Sequence, residues 1–364
     1  MTICLIGKNL TTLVLSKILI NKGINVDLYY PNKKLSKNLT NINSRTIGLS
    51  NDSIEFLESQ KILYKKNCWN INKINLYKGK NLKSFLNFNP KKSSFFMTPY
   101  NKFYKSLESS LIKNKLVKNK KIKGNKSFLD IIKKNYEIII LTDKNNLLFK
   151  KYFSKQIKKN YNSIAYTSII DHDNVDNNIA EQYFTEFGPL AFLPISKTQT
   201  SIVYSVFDRD LIKNKSKVLN LIKYYNRRYK IINISALQKF PINLSLSRNY
   251  FYKNILSFGD ALHKIHPLAG QGFNMTLRDA KILSQLIEKN LDLGLNLDTV
   301  LEKFEIKRKN SNFVFAMGID FLHEFFKMIS RYNTKSIDNV FEFMNKNIII
   351  KKKLENFANK GFNF

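Results

Sequence analysis

The chain is poor in cysteine and has no long apolar runs. Only two cysteines, Cys4 and Cys68, occur among its 364 residues. Their spacing matches no metal site, so we expect neither a disulfide framework nor a cysteine-bound metal. Cys4 lies inside an apolar stretch and is most simply a core residue, which fits a reducing cytosolic setting. No apolar segment is long enough to span a bilayer, and Met1 leads straight into a strand-like run. We therefore expect no membrane helix and no secretory leader.

Acidic residues are also scarce. The chain has 27 aspartates and glutamates against 61 lysines and arginines, a formal net charge of +34. Such a surplus is typical of nucleic-acid-binding proteins. The lysines, however, are scattered among many asparagines and isoleucines and form no basic stripe, as an AT-rich genome would produce. We therefore expect no nucleic-acid partner, and a steep salt-dependent affinity for DNA or RNA would show otherwise. The same lysines could assist contact with an anionic lipid surface.

The most informative stretch is SFGDALHKIHPLAGQGFNMTLRD, residues 257–279. The apolar run that precedes Gly259 predicts a buried strand ending at Asp260, whose carboxylate can accept hydrogen bonds from a ribose or polyol hydroxyl. A loop carrying His266 and Pro267 follows, and the residue before proline favours an extended backbone.

A glycine-rich turn, Gly270-Gln271-Gly272, comes next, and apolar residues at helical spacing predict a helix from Asn274 onward. Glycine lets backbone approach a ligand closely, and the first amides of a helix have no internal acceptors. The sequence therefore predicts an anion site at this turn, where the helix dipole favours negative charge. The alternative is an ordinary helix start with a capping asparagine.

The first residues predict a strand at 2–6, a helix at 10–21 and a strand at 24–30, which is the opening of a dinucleotide-binding fold. That fold normally carries G-x-G-x-x-G and an acid ending the second strand. Here only Gly7 remains, and Tyr30 stands in the acidic position, although Asn9 can adopt a left-handed turn and Lys8 could meet a phosphate. Losing the carboxylate removes a bond worth about 1.5–3 kcal/mol. Cofactor affinity would fall by roughly tenfold to a hundredfold, so weak retention is a prediction of this segment.

The 259–280 stretch resembles the second FAD-contacting motif of flavin-dependent aromatic hydroxylases, the fold group of para-hydroxybenzoate hydroxylase. It is most similar to the branch that hydroxylates polyprenyl phenols in ubiquinone biosynthesis. The resemblance implies that Asp260 contacts the ribityl or pyrophosphate part of FAD, and that His266 and Pro267 line the wall beside the flavin ring. It also implies that five residues of the turn present backbone N–H groups to the flavin pyrimidine edge, with Gly272 nearest the reacting ring: Gly270, Gln271, Gly272, Phe273 and Asn274.

Other segments resemble the same family more weakly. Arg45 lies in a segment similar to D-x-R-x-x-A-L-S, in which the arginine reaches FAD, and a surface arginine is the alternative. Asn101 matches a family asparagine, and Asp143 follows a buried strand where the family has G-A-D-G, although Lys144 replaces the glycine. With Gly7 and Asn9, these residues complete the implied cofactor contacts. Residues 187–195 resemble a strand of the substrate-side sheet that faces the flavin, or are simply a core strand.

These patterns predict an α/β protein. It has a Rossmann-like FAD-binding domain, an inserted mixed β-sheet substrate domain and a helical C-terminal tail. The expected limits are residues 1–72, 96–158 and 250–300 for the first domain, 73–95 and 159–249 for the second, and 301–364 for the tail. We expect residues 119–126 to form a polar, lysine-rich loop. The phenylalanines of the tail could pack in the core or touch a membrane or a partner hydroxylase.

The resemblance covers nearly the whole chain and implies a flavin-dependent monooxygenase. Its substrates would be O2 and the aromatic ring of a polyprenyl phenol in ubiquinone biosynthesis, and its electron donor NAD(P)H or a protein. We expect it in the cytoplasm, with peripheral contact at the inner membrane and with other ubiquinone-synthesis proteins. The alternative is an FAD-poor or FAD-free structural member of a ubiquinone-synthesis complex, which the altered phosphate-binding segments favour. A flavin absorbance band in the purified protein distinguishes the two.

Overall fold

A computed structural model describes residues 1–31, 44–79, 84, 86–88, 95–122, 126–266 and 270–331 and three single positions, 347, 353 and 356. The helices in these ranges are α1 (Leu10–Ile20), α2 (Asn51–Ser59), α3 (Tyr100–Ile112), α4 (Lys126–Lys133), α5 (Leu147–Tyr152), α6 (Arg209–Lys213), α7 (Lys215–Tyr225), α8 (Gln271–Asp292) and α9 (Val300–Arg331). The first strands are β1 (Thr2–Ile6), β2 (Asn25–Pro31), β3 (Thr46–Leu49), β4 (Trp69–Ile71), β5 (Lys73–Lys78), β6 (Leu86–Phe88), β7 (Phe95–Pro99), β8 (Val117–Ile122) and β9 (Ile138–Leu141). The remaining strands are β10 (Gln156–His172), β11 (Ile179–Thr185), β12 (Gly188–Pro194), β13 (Gln199–Val206), β14 (Ile231–Ile234), β15 (Gln238–Ser247), β16 (Phe251–Tyr252), β17 (Ile255–Ser257) and β18 (His263–Lys264).

A six-stranded sheet in the order β16-β17-β9-β1-β2-β8 organises the first region. Strands β1, β2, β8, β9 and β17 run parallel, and β1 and β9 lie at its centre, which explains why they are short and almost wholly apolar. The predicted strand at 2–6 and the helix beginning at Leu10 are confirmed. The parallel strands end at a common edge, so the loops after β1, β9 and β17 meet there.

The prediction of a loop over residues 119–126 is wrong in its first half. Residues 117–122 form β8, which pairs with β2 at the edge of the sheet. A pattern rich in lysine looks like a loop, but lysine is also common on edge strands, where charge discourages pairing with another chain.

The second sheet has nine strands, and its main path is β18-β15-β10-β13-β12-β11-β5-β6, with β14 paired to β10. It is antiparallel except where β11 pairs with β5. Side chains alternate between its two faces. Leu190 and Phe192 of β12 pack in a core beneath α7, whereas Leu193 points to the opposite face, towards Met97 of the small sheet β3-β7-β4.

Helices α8 and α9 pack together, and α9 contacts both large sheets. Phe304 of α9 contacts Phe258 at the end of β17, with ring centroids 5.9 Å apart. Phe315 of the same helix joins a core with strands β10 and β15 of the second sheet. Of the predicted helical tail, the structure describes α9. Within the described ranges no helix is both long enough and apolar enough to cross a bilayer. The domain limits stay a prediction.

Candidate functional site

Helix α8 begins at Gln271, three residues earlier than the sequence predicts. Gly270 is its N-cap residue and adopts a left-handed backbone with φ 65° and ψ 21°, which glycine allows without steric cost. No side chain caps the helix. The amides of Gln271, Gly272 and Phe273 therefore have no intrahelical acceptor. Gly272 lies in the first helical turn rather than before it.

Gly272 is loosely packed on the side where a side chain would stand. A Cβ atom added to Gly272 would come no closer than 3.8 Å to another heavy atom, a side-chain carbon of Ile265. A Cβ on Gly270 would lie 3.5 Å from the backbone nitrogen of Gly48, so the turn rests against β3. Uncapped amides at the positive end of a helix favour a negatively charged group at this turn.

Asn274 holds this helix end in place. Its Nδ2 donates to the carbonyl oxygens of Gly48 (2.9 Å) and Gly270 (3.2 Å), and its Oδ1 accepts from the amide of Ser50 (2.9 Å). The side chain is fully buried. Asn274 is therefore neither a helix cap nor a side chain free to meet a ligand. It fixes α8 to β3 and to the start of α2.

His266 follows Ile265, whose side chain is the nearest described group to a Cβ atom added at Gly272. His266 is buried, stacks on His323 of α9 at 4.1 Å between ring centroids, and meets Tyr161 edge-on at 5.4 Å. Neither ring nitrogen has a hydrogen-bond partner among the described residues. Burial, with the neighbouring His323, holds the pKa of His266 well below its usual value, so the ring is neutral. Pro267, predicted to line the wall beside the flavin ring with His266, lies outside the described residues.

A buried ionic network anchors the other side of α8. Asp279 accepts hydrogen bonds from Arg308 Nε (2.6 Å) and Asn312 Nδ2 (3.0 Å) of α9 and lies 2.7 Å from His263 Nε2. Burial alone would raise the pKa of Asp279, but Arg308 and His263 outweigh it and hold the pKa below its usual value. The sequence analysis missed this network because its members are distant in sequence and no local spacing links α8 to α9.

The N-terminus of α1 is the second helix end at the same sheet edge, and it is capped. Asn9 is extended, with φ −143°, instead of adopting the left-handed turn that the sequence allowed. Its Oδ1 accepts from the amide of Thr12 (3.0 Å), and its Nδ2 donates to the carbonyl of Thr142 (3.1 Å). The amide of Leu10 donates to the Tyr100 hydroxyl at 3.3 Å. These amides already have acceptors within the chain.

Gly7 makes room for a side chain. A Cβ atom there would lie 2.1 Å from Thr142 Oγ1, and that hydroxyl is 2.7 Å from Thr12 Oγ1. The surviving glycine of the fingerprint therefore accommodates Thr142. Near the end of β2, the Lys8 Nζ lies over the Tyr30 ring, 5.3 Å from the ring centroid.

The remaining predicted contacts are spread around this edge. Arg45 is exposed and lies over the Tyr100 ring at 4.7 Å. Asp260 is exposed in a short turn directly after β17, and Asn101 is half-buried in the first turn of α3. Asp143 accepts from the amide of Asn145 at 2.9 Å and so forms a local turn after β9. The structure thus brings Arg45 and Asp260 to the carboxyl edge near α1, with Asp143 engaged in its own loop.

The described residues suit one end of FAD better than the other. At the α8 end, open amides and a buried Gln271 Oε1 without a partner among the described residues suit the polar edge of a flavin. At the α1 end, the amides of Leu10 and Thr12 already have acceptors within the chain. In the described ranges no group of three or more His, Cys, Asp or Glu side chains could hold a metal ion.

Comparison with known structures gives the fold. The chain superimposes on p-nitrophenol 4-monooxygenase PnpA from Pseudomonas putida DLL-E4 with a TM-score of 0.78, at 11% identity and covering 100% of both chains. It superimposes on HpxO from Klebsiella pneumoniae, solved with FAD and uric acid, with a TM-score of 0.71, at 10% identity and covering 99% and 97%. The fold is that of the FAD-dependent monooxygenases. The predicted fold class is confirmed.

Sequence comparison points to the ubiquinone branch. The chain is 35% identical over 95 residues to ubiquinone biosynthesis monooxygenase COQ6 of Dictyostelium discoideum, covering 26% of this chain and 19% of that protein. It is 29% identical over 151 residues to 3-demethoxyubiquinol 3-hydroxylase of Escherichia coli K12, covering 39% and 38%. A squalene epoxidase family model matches residues 225–352. The recognition made from residues 259–280 is confirmed, although the chain spans less than half the length of these two relatives.

Proposed function

We propose that this FAD-dependent monooxygenase relative hydroxylates the aromatic ring of a polyprenyl phenol in ubiquinone biosynthesis. The observation that carries the proposal is the open N-terminus of α8, whose first amides lack acceptors within the helix. Its position beside Gly48 and His266 suits a flavin ring. When bound, reduced FAD would supply two electrons that activate O2, so that one oxygen atom of O2 is transferred to the ring and the other leaves as water.

The chain's own residues would position and shield the reacting groups. The amides of Gln271, Gly272 and Phe273 would hold negative charge on the pyrimidine edge, because preorganised donors stabilise charge without reorganisation. Neutral His266 would contribute a dry aromatic wall rather than a proton, since its ring nitrogens contact no described acid or base. Asn274 would keep the helix end rigid.

The phenol would lie between the α8 turn and the second sheet. The face of that sheet that points towards β3-β7-β4 is apolar, with Ile169, Leu193 and Ile195 beside Met97. Such a surface suits an aromatic ring and an attached hydrocarbon chain. The substrate class is taken from the names of the two relatives, which act in ubiquinone biosynthesis.

A polyprenyl substrate resides in lipid, so the proposal includes peripheral contact of a cytoplasmic protein with an anionic inner membrane. Exposed apolar side chains on α9 (Ile306, Phe313 and Phe321) and the net charge of +34 support such contact. Electrons would come from NAD(P)H or a protein donor, and other ubiquinone-synthesis proteins would be partners.

The α1 end favours a second candidate. With the amides of Leu10 and Thr12 bonded inside the chain and Thr142 packed on Gly7, FAD would be held weakly or not at all. The chain would then serve as a structural member of a ubiquinone-synthesis assembly.

Flavin absorbance of the purified protein, followed by complementation of a ubiquinone-hydroxylation defect, separates the two candidates. The hydroxylase is expected to bind flavin and to remove one accumulating ubiquinone precursor. Gly272→Val, which crowds the open turn, should abolish both. Gln285→Val, at an exposed position of the same helix, is the matched control for chain folding. Complementation that persists in Gly272→Val would contradict the hydroxylase and favour the structural role.

A further inference from the structure

Lys144 occupies an unusual position at the edge where the loops after β1, β9 and β17 meet. It follows Asp143 in the loop after β9, where the resembled family has glycine. Thr142, two residues earlier, packs against Thr12 in the first turn of α1. On the other side, Gly259 lies so close to α1 that an added Cβ would come within 2.8 Å of Thr11. The Lys144 backbone is therefore close to the helix end over which the diphosphate of a dinucleotide lies in this type of fold, and Asp260 at the same edge acts electrostatically on its ammonium group.

The Lys144 ammonium group is poorly supplied with acceptors. It is half-buried and donates to Ser245 Oγ at 2.7 Å, the one hydrogen bond it makes within the described residues. An ammonium has three donors. No carboxylate of the described chain lies within ion-pair distance of it, although Asp260 acts on it electrostatically from further away. A partly desolvated cation with unused donors is suited to an anion supplied from outside the chain.

Two of the first three backbone amides of α1 are not available to that anion. The Leu10 and Thr12 amides have internal acceptors, and Gly7 is covered by Thr142. Lys8 and Arg45, which also lie near this helix end, are both exposed and lie over the rings of Tyr30 and Tyr100. Of the three cations that the structure places near this helix end, Lys144 is the half-buried one.

We propose that Lys144 binds the diphosphate of FAD and replaces the backbone donors that the altered first loop no longer offers. This inference rests on the proposed flavin-binding function. Ser245 of β15 orients the ammonium, so the second sheet contributes to cofactor binding. A side-chain charge thus performs the task that glycine-rich backbone performs in related folds.

The test is titration of the full chain with FAD, FMN and riboflavin at pH 7, followed by flavin fluorescence. Lys144→Gln is expected to weaken FAD binding by about tenfold, the loss of one charge-assisted hydrogen bond. FMN should weaken less, and riboflavin, which has no phosphate, should bind unchanged. Lys144→Arg should retain FAD affinity. Lys223→Gln, an exposed lysine on α7 that does not act on Lys144, is the matched control and should change nothing.

Each result decides the matter. Equal effects of Lys144→Gln on FAD and riboflavin, or no effect on either, would overturn the role of Lys144 while leaving flavin binding intact. A wild-type chain that binds none of the three flavins would overturn the proposed function and this inference together. Thermal unfolding of the flavin-free variants shows that a selective loss of FAD does not come from a damaged fold.

Discussion

Two helix N-termini follow glycines of positive φ in this protein, and they differ in whether they are open. Helix α8 begins at a left-handed Gly270 and has no side-chain cap. Helix α1 follows Gly7 and is closed by Asn9 and the Tyr100 hydroxyl. At any α-helix N-terminus the helix dipole is positive, and the first amides have no acceptor within the helix. We expect a negatively charged ligand to favour a helix end whose amides the chain leaves without acceptors, as at α8.

The uncapped helix α8 is held in place by more buried polar side-chain contacts than α1. Asn274 bonds the first turn of α8 to β3, and Asp279 ties the next turns to Arg308 of α9. Unsatisfied amides at a helix end are tolerated when the rest of the helix is held firmly. At α1, by contrast, the chain satisfies the amides itself and leaves a ligand little to gain there.

The largest expected effect comes from releasing α8 from α9. Asp279→Ala leaves the buried Arg308 cation without its carboxylate, which typically lowers the free energy of unfolding by about 3–5 kcal/mol. Urea denaturation followed by circular dichroism measures it. Asp52→Ala is the matched control, because its partner Lys281 is 38% exposed and such pairs contribute about 0–1 kcal/mol. Equal losses in the two variants would contradict the assigned importance of the buried network.

The second prediction compares the two ends of α8 and asks which of them affects flavin affinity as well as stability. Asn274→Ala removes three hydrogen bonds and leaves buried backbone groups of Gly48 and Ser50 unpaired, at a cost of about 2–3 kcal/mol. Riboflavin and FAD should weaken by the same factor, because only the flavin ring end is disturbed. Asn290→Ala near the other end of α8, which loses a bond to the Asn296 carbonyl, should cost stability and spare flavin affinity. Titration beside denaturant unfolding measures both quantities. A selective loss of FAD in Asn274→Ala would be the opposite of what the structure implies.

The sequence predicted the α8 end well and the α1 end poorly, for a physical reason. Strand, glycine turn and helix are local features, so their order and the start of α8 were predicted to within three residues. Whether amides are open depends on distant partners. Tyr100 reaches Leu10 across 90 positions, and Thr142 reaches Asn9 across 133. No local pattern in the first thirty residues contains that information.

The same limit explains two residues that the sequence interpretation assigned differently. Asn274 matches the family motif, and its motif alone suggests a ligand contact, whereas its partners Gly48 and Ser50 lie more than 220 positions away. Lys144 looked like the loss of a glycine. Its ammonium group donates a hydrogen bond to Ser245, 101 positions along the chain, a contact that no local pattern predicts.

A pH titration tests the α1 end. Burial lowers the pKa of Lys144 to about 8, an effect that Asp260 opposes and that Lys264 of β18 and Lys158 of β10 reinforce. The ammonium is charged below that pH and neutral above it, so FAD affinity should fall as the pH rises from 7 to 9. Riboflavin affinity should change less. Lys144→Arg, which stays charged throughout this range, should make the ratio of FAD to riboflavin affinity independent of pH. A wild-type ratio that stays constant from pH 7 to 9 would contradict this assignment.

The smallest expected effect comes from removing one acceptor, a hydroxyl oxygen, at the N-terminus of α1. Tyr100→Phe removes the hydroxyl that accepts from the Leu10 amide but keeps the ring under Arg45. The flavin-free chain should lose about 1 kcal/mol of stability, because a buried amide loses its acceptor. That amide then becomes available to a phosphate oxygen, so the affinity for FAD relative to riboflavin should rise by about fivefold. Tyr104→Phe is the control, since its hydroxyl contacts Glu108 within α3 and lies away from the α1 amides. If Tyr100→Phe lowers FAD and riboflavin affinity alike, the hydroxyl supports the fold without competing with a ligand. The contrast between the two helix ends would then need a different cause, such as the Thr142 side chain that fills the space at Gly7.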